Sequence, residues 1–318
     1  MKYAARKRIA RLLLVCGAYA FIFSATAQPK EFSFGVIGHS FQVSPEESIL
    51  HQTIAETDDD NLAFVVANGI KTDSEPCSDD LYLRRKALLD TAKNGLVVSL
   101  TGSDWTRCRN ARNRSSAVER LNRIRDLFFN DEFSLGASRI PLMRQSANAK
   151  FRSYAENAHW QIGDIIFATI NLPADNNHFR PEAGRNSEFE DRLIANRFWL
   201  RRIVGIATHR KLDGIVLFCD ADPLTPPSVL QRSQSNTKRD GFTEIRKSID
   251  TLAGRFTGKI LLISNDSENR TPTPAVIAWR TKNLGSVAAH SGWMKVTVDK
   301  SNPSLFSIAA DLRMENPR

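Results

Sequence analysis

Short apolar runs that favour β-strands alternate with longer amphipathic runs along most of this 318-residue chain. The apolar runs predict strands at residues 32–37, 62–67, 95–100, 165–170, 215–218 and 260–263. The amphipathic runs between them predict helices at residues 45–55, 79–92, 115–129, 188–209 and 243–256. Strands and helices that alternate in this way are typical of α/β proteins.

The last quarter of the chain departs from this alternation. Strands are predicted at residues 275–279, 293–298 and 305–308, with no helix between them. No internal repeat and no linker interrupts the sequence, so we predict a single domain over residues 30–318. Within it, residues 223–241 combine three prolines with a run rich in Ser, Gln, Asn and Arg, which predicts an exposed mobile loop.

Residues 1–27 have the character of a secretory signal peptide. Five basic residues precede an apolar run at residues 12–23, and Ala25-Thr26-Ala27 then offers small residues for cleavage after Ala27. The apolar run is shorter than the roughly 20 residues that span a bilayer, although an uncleaved anchor is the alternative. Cleavage predicts a periplasmic or secreted protein with no stable membrane span.

Charge excludes one class of partner. The full chain has 44 Lys and Arg against 35 Asp and Glu, a net charge of +9. Without residues 1–27, which hold five basic and no acidic residues, the net charge is 39 − 35 = +4. This modest excess, without a basic face interleaved with aromatic residues, predicts no nucleic acid partner. The densest basic cluster, at residues 107–114, is typical of a solvated loop, and an anion-docking site is the alternative.

Polar loops follow five of the predicted strands, where α/β proteins collect their ligand groups. The informative stretches are Asn68-Gly69-Ile70-Lys71, Pro76-Cys77-Ser78-Asp79 and the run from Gly102 to Cys108 (Gly-Ser-Asp-Trp-Thr-Arg-Cys). They resemble the secreted bacterial branch of the calcineurin-like metallophosphoesterases, which reads Gly-Asp-Ile-Lys, Pro-Cys-Ser-Asp and Gly-Asp-Asn-Glu-Trp-Thr-Asp-Cys. The resemblance covers most of residues 32–308. It implies an α/β fold in which two β-sheets pack as a sandwich flanked by helices.

That family holds two metal ions with Asp, His and Asn ligands, and this chain replaces most of them. His39 stands in place of the first Asp, and Gly69 in place of the Asp that bridges both metals. Ser103 takes an Asn position, and Asn171 takes a His position. In the last loop, the family's His-Gly-Asp-x-His reads Ser264-Asn265-Asp266-Ser267-Glu268, which retains only the Asp.

Glycine at the bridging position decides the interpretation. Without a shared carboxylate, two dications would face each other in a partly desolvated pocket. We therefore predict no cofactor and no catalytic residue. The residual metal candidates are His39, Asp104, Asn171, Asp266 and Glu268. As an alternative to simple polar loop residues, His39, Asp266 and Glu268 are suited to hold one divalent ion (manganese, iron or zinc).

The expected pairing of the cysteines is consistent with export. The family resemblance implies a disulfide bond between Cys77 and Cys108, since each lies in a motif that carries one of the two paired cysteines. An oxidising compartment favours such pairing. Cys219 ends an apolar strand-like run and is expected to be a buried free thiol.

We therefore expect an exported protein of metallophosphoesterase fold that is catalytically degenerate and acts as a binding or accessory protein. Its partner is an unknown polar ligand or a protein, with a cleft rimmed by Asn68, Asn171, Asn176 and Asn177. The alternative is a periplasmic phosphoesterase with a reduced or unusual metal site. A third possibility is an inert structural partner in an envelope complex.

Overall fold

A computed structural model describes residues 30–38, 47–180, 186–226, 239–265, 275–290 and 292–309 of the protein. The predicted signal peptide and its cleavage site at Ala27 lie outside the described residues. His39, Asp266 and Glu268, three of the five residual metal candidates, lie outside them as well.

Two β-sheets form the centre of the protein. The strands are β1 (Glu31–Ile37), β2 (Val65–Asn68), β3 (Leu96–Ser99), β4 (Met143–Arg144), β5 (Ala158–Ile162), β6 (Ile165–Thr169), β7 (Gly214–Phe218), β8 (Lys259–Asn265), β9 (Ala278–Trp279), β10 (Leu284–Ala289), β11 (Trp293–Asp299) and β12 (Phe306–Ile308). The smaller sheet has the order β12-β11-β1-β2-β3, and the larger has the order β4-β5-β6-β7-β8-β10-β9.

Parallel strands occupy the middle of both sheets. β1, β2 and β3 run parallel to one another in the smaller sheet, and β6, β7, β8 and β10 do so in the larger sheet. The remaining strands pair antiparallel at the flanks. Within each sheet, the carboxyl ends of the parallel strands therefore meet at one edge, where the following loops can form a site.

The two sheets pack face to face across an aromatic core. The rings of Phe34, Phe64 and Phe167 contact one another at centroid distances of 4.7–5.3 Å. Trp160 stacks on Phe167 and on Phe218, which brings the neighbouring strands of the larger sheet into the same cluster. These fully buried rings remove a large apolar area from water and hold the sandwich together.

Five helices within the described ranges cover the outer faces of the sandwich. They are α1 (Glu47–Asp58), α2 (Asp79–Leu89), α3 (Ala117–Phe128), α4 (Ser187–His209) and α5 (Thr243–Ala253). The first three pack on the smaller sheet, and the last two pack on the larger sheet. The α/β prediction of two packed sheets flanked by helices is therefore confirmed.

Three strands of the larger sheet were not predicted. β4 and β5 were missed entirely, and so was β10, whose small residues give a weak apolar pattern. Gly285 in β10 shows why small residues are needed there, because a Cβ at this position would lie 2.9 Å from the Trp279 ring. The predicted strand at 275–279 is limited to the two residues of β9.

Hydrogen bonds tie down both ends of the segment predicted as a mobile loop. The Arg246 side chain donates to the carbonyl of Pro223, and Arg280 donates to the carbonyl of Leu224, both at 2.8 Å. At the other end, the amide of Gly241 donates to the Asn176 side chain at 2.9 Å. Residues 227–238 lie outside the described residues, so mobility of the loop stays a prediction.

A helix that spans a membrane needs about 20 predominantly apolar residues. None of the helices that the structure describes combines this length with a sufficiently apolar character. The longest, α4, has 23 residues but carries charged groups along its length.

Candidate functional site

Three polar side chains lie at one level on the inner face of the larger sheet. They are Asn171 after β6, Asp220 after β7 and Asn265 at the end of β8. In each strand the inward-facing residues before them belong to the apolar core between the sheets, and side chains two positions apart share a face. Because the three parallel strands pair in register, adjacent members of this row are about 5 Å apart.

The smaller sheet contributes an opposing row. Asn68 at the end of β2 pairs with Ser99 of β3, and Gly38 follows β1 on the other side. Val66, two positions before Asn68, lies in the core between the sheets, so Asn68 faces the larger sheet. A Cβ at Gly38 would lie 1.6 Å from the His290 carbonyl oxygen, so only glycine fits there.

Asp220 joins the loops of the two sheets. One carboxylate oxygen accepts from the backbone amides of Gly102 and Ala174, both at 2.7 Å. The other accepts from the Asn265 side chain at 3.0 Å. A single carboxylate thus ties together the loops after β3 and β6 and the ends of β7 and β8, and its negative charge is compensated by protein N–H groups.

Several amide atoms in these rows have no hydrogen-bond partner within the described part of the chain. They are both polar atoms of the Asn68 amide and the side-chain oxygens of Asn171 and Asn265. All three residues are at least nine-tenths buried, and Asn68 is 1% exposed. Because an unpaired buried amide is costly, such atoms indicate a place for a water or a small polar group.

Asn171 is otherwise held in a network of buried amides. Its backbone amide donates to the Asn157 side chain at 2.9 Å, and its side-chain nitrogen donates to Glu156 at 3.1 Å. The carbonyl of Asn171 accepts from the side chains of Arg192 and Asn196. This network fixes the direction of the amide, so its unpaired oxygen has a defined position.

Gly69, which the sequence resemblance aligns with a bridging Asp, has a constrained backbone. Gly69 adopts a φ of +90°, a conformation that residues with a side chain rarely adopt. Its amide donates to the carbonyl of Ser99 at 2.8 Å, which continues the pairing of β2 with β3. An Asp at this position would have to bear backbone strain.

Asp104, a residual metal candidate, binds the loops rather than facing open space. One of its carboxylate oxygens accepts from the amides of Ile70 and Lys71, and the other accepts from the amide of Thr101 at 2.8 Å. The residue is fully buried. Lys71 is 1% exposed beside it, and burial lowers the pKa of Lys71 although the Asp104 charge opposes that shift.

The cysteine motifs brace the same loops. Cys77 and Cys108 form a disulfide bond with a Cα–Cα distance of 5.8 Å, as the family resemblance implies. Ser78 caps α2 by accepting from the amide of Leu81, which explains the Pro-Cys-Ser-Asp motif as a helix start. Cys219 is a buried free thiol, as expected, and burial raises its pKa well above the usual value.

A strained turn borders the site. Asn176, Asn177 and His178 all have φ values between 44° and 55°, a conformation unusual for residues with a Cβ. Arg192 holds this turn by donating to the Asn177 carbonyl, and Glu188 accepts from Arg192 at 2.6 Å. Burial opposes ionisation of Glu188, but Arg192 and His178 outweigh it and lower the pKa of Glu188 to about 2.

The structure thus brings together only part of the candidate set predicted from the sequence. Asp104 and Asn171 lie in the loops at the strand ends, and the other three candidates lie outside the described residues. Among the residues that the structure describes, no group of three or more His, Cys, Asp or Glu side chains is arranged to hold a metal ion. The two rows do not fit a two-metal centre. They offer three amides, one hydroxyl group, one glycine and a single carboxylate, which already accepts three hydrogen bonds from the protein.

Sequence reasoning missed the central role of Asp220. Its position two residues after the inward-facing Phe218 was the available signal, because residues two apart in a strand share a face. The bonds that Asp220 makes to Gly102 and Ala174 span 118 and 46 residues, so the sequence alone does not reveal them.

Comparisons with known proteins do not identify a function for this chain. No family model matches the chain, and no curated protein matches it. Among solved structures, it is similar to a purple acid phosphatase from yellow lupin (Lupinus luteus) seeds, with 9% sequence identity and a TM-score of 0.45. The match covers 85% of this chain and 50% of that one, so the chain spans half the length of that structure. The function must therefore be argued from the side chains of this protein.

Proposed function

We propose that this protein is an exported binding or accessory protein. In this proposal, the cleft between the two rows binds a small, polar, uncharged group, and the protein does not hydrolyse phosphoesters with two metal ions. The observation that carries the proposal is the set of buried amide atoms of Asn68, Asn171 and Asn265 that lack partners among the described residues. Amides supply both donors and acceptors without charge, so they suit hydroxyl or amide groups better than phosphate.

The charge within the two rows supports this preference. The only acidic member of the two rows, Asp220, already accepts from three protein N–H groups. A phosphate bound there would meet this carboxylate without a cation between them, which is unfavourable. Because the unpaired amide atoms are buried, the ligand has to be small, or it has to insert only a narrow terminal group into the site.

Metal analysis and an activity assay test the catalytic half of the proposal. The purified protein is analysed for bound transition metal and assayed on a phosphate monoester and a diester of p-nitrophenol with added manganese. We expect substoichiometric metal and no turnover. Stoichiometric metal, with turnover that His39→Ala removes, would establish the alternative of a phosphoesterase with a reduced metal site.

Thermal shift measurements test the binding half. The probes are neutral mono- and disaccharides, which carry many hydroxyl groups, and the corresponding sugar phosphates. We expect a neutral sugar to raise the melting temperature of the protein and to lose this effect in Asn68→Val, since binding to the native state stabilises it. Stabilisation by the phosphates alone, or stabilisation that persists in Asn68→Val, would contradict a neutral amide-lined site.

A further inference from the structure

One exposed turn carries as many positive charges as the net excess outside residues 1–27. Residues 28–318 carry 39 basic and 35 acidic residues. Residues 107–114 (Arg-Cys-Arg-Asn-Ala-Arg-Asn-Arg) hold four arginines and no acidic residue, so the remainder has 35 − 35 = 0 net charge. We call residues 107–114 the arginine turn. Four arginines within eight residues produce a local positive field.

The arginine turn has an ordered backbone. Within the turn, the backbone amide of Asn110 donates to the carbonyl of Arg114 at 2.9 Å, and the Asn110 side chain accepts from the backbone amides of Arg112 and Arg114. Asn113 adopts a φ of 56°, as a tight reversal requires. At its base, Cys108 is fixed by the disulfide bond to Cys77. The turn is therefore pre-organised, which lowers the entropy lost when it binds.

Two of the four guanidinium groups are available for a partner. Arg107 pairs with Asp73 at 2.7 Å, and Arg109 donates to the Asn113 carbonyl. For Arg112 and Arg114, no carboxylate partner occurs among the residues that the structure describes, and both are exposed. The guanidinium group is well suited to bind phosphate oxygens through paired N–H donors.

The composition of the turn distinguishes between classes of partner. It contains no aromatic residue on which nucleic acid bases could stack. Ala111 is its only apolar side chain apart from the disulfide-bonded Cys108, so it lacks the apolar centre of a protein–protein interface. An exposed cationic turn without an apolar centre fits a phosphate-bearing surface. We propose that the arginine turn docks the protein on the anionic phospholipid headgroups of a membrane.

A vesicle sedimentation assay tests this docking. The purified protein is mixed with phosphatidylcholine vesicles, with or without about one third phosphatidylglycerol, at low and at physiological salt. We expect binding only to the anionic vesicles, with weaker binding at higher salt. The Arg112→Gln/Arg114→Gln variant is expected to lose about thirtyfold in partition coefficient, because each basic residue near such a surface contributes about 1 kcal/mol.

The matched control removes two charges elsewhere. Arg255 and Lys282 are exposed at the opposite edge of the larger sheet, close to the beginnings of β8 and β10. Arg255→Gln/Lys282→Gln is expected to bind like the unaltered protein. Equal losses in both double variants would show a general charge effect and overturn the proposal, as would no binding to anionic vesicles. An acidic protein can also replace the vesicles in this assay. If the turn variant lost binding to the acidic protein but not to the vesicles, the proposal would be overturned in favour of an acidic protein partner. Binding through the apolar run at residues 12–23 would persist on pure phosphatidylcholine, so it is distinguishable.

Discussion

Asn68 has a buried amide at a position where the strand itself needs no polar group. It is 1% exposed, and neither of its polar side-chain atoms has a partner within the described residues. Leaving a buried amide unpaired costs about 1–3 kcal/mol. A residue retained at such a cost to stability is typical of a binding site. Asn196 offers a contrast, because both of its amide atoms are bonded to Asn157 and Asn171.

Replacing Asn68 with valine tests whether its amide is kept for a ligand. Without ligand, we expect Asn68→Val to raise the free energy of unfolding by about 1 kcal/mol, because an apolar side chain replaces an unsatisfied one. Chemical denaturation gives the free energy. In the control Asn196→Leu, where bonded partners are left unpaired, a loss of about 2 kcal/mol is expected. Clear destabilisation by Asn68→Val would mean that its amide is already bonded in the ligand-free protein.

At the scale of elements, apolar runs predicted strands better than they predicted the site. Runs such as residues 165–169 and 214–218 are fully buried and became β6 and β7, because local composition decides them. β10 was missed because its small residues are selected by contact with Trp279. The row of Asn171, Asp220 and Asn265 depends on register between strands distant in sequence, which composition does not encode.

The start of α4 and the strained turn before it depend on each other. Glu188 lies in the first turn of α4, where it accepts from Arg192 and contacts His178 at 2.9 Å. Arg192 is fully buried and also donates to Asn177. The ion pair therefore compensates a buried charge and holds the three left-handed residues in place. Strain of this kind persists only where surrounding contacts maintain it.

The charge of Glu188 predicts how stability depends on pH. Its pKa is lowered from 4.5 to about 2 in the folded protein. Its contribution is thus fully present above the unfolded value, and it is lost as pH falls from about 4.5 towards 2. Glu188→Gln is expected to cost about 3 kcal/mol at neutral pH and to reduce this acid-dependent loss. Urea titrations over this pH range measure both effects.

The matched control for this prediction is Glu190→Gln. Glu190 is in the same helical turn but is exposed. Its substitution should change stability by less than about 0.5 kcal/mol, as surface substitutions usually do. If both variants lost the same stability, helix-terminus electrostatics alone would explain the result, and the ion pair with Arg192 would have no special role.

At the scale of the whole molecule, one covalent bond links elements that meet at the site. The disulfide bond joins the residue before the Ser78 cap of α2 to the loop after β3, and Cys108 lies within the arginine turn. Asp104 binds the loop after β2 from the same segment, and Tyr82 in α2 donates to the Asp104 carbonyl at 2.9 Å. The disulfide bond thus supports the Asp104 segment on one side and the arginine turn on the other.

Reducing or removing this disulfide bond should lower the free energy of unfolding without unfolding the two packed sheets. The bond spans 31 residues, so the chain-entropy model gives a loss of about 3–4 kcal/mol when it is reduced or replaced in Cys77→Ala/Cys108→Ala. Denaturation with and without a reductant measures this loss of stability. The double variant already lacks the bond, so a reductant should not lower its stability further. Cys219→Ala retains the bond and should retain the response to reductant, since Cys219 is a free thiol.

The aromatic core lies away from the bond, so the reduced protein should keep its sheets while vesicle binding through the arginine turn weakens. A reductant that leaves stability unchanged would show that the two cysteines do not constrain the chain.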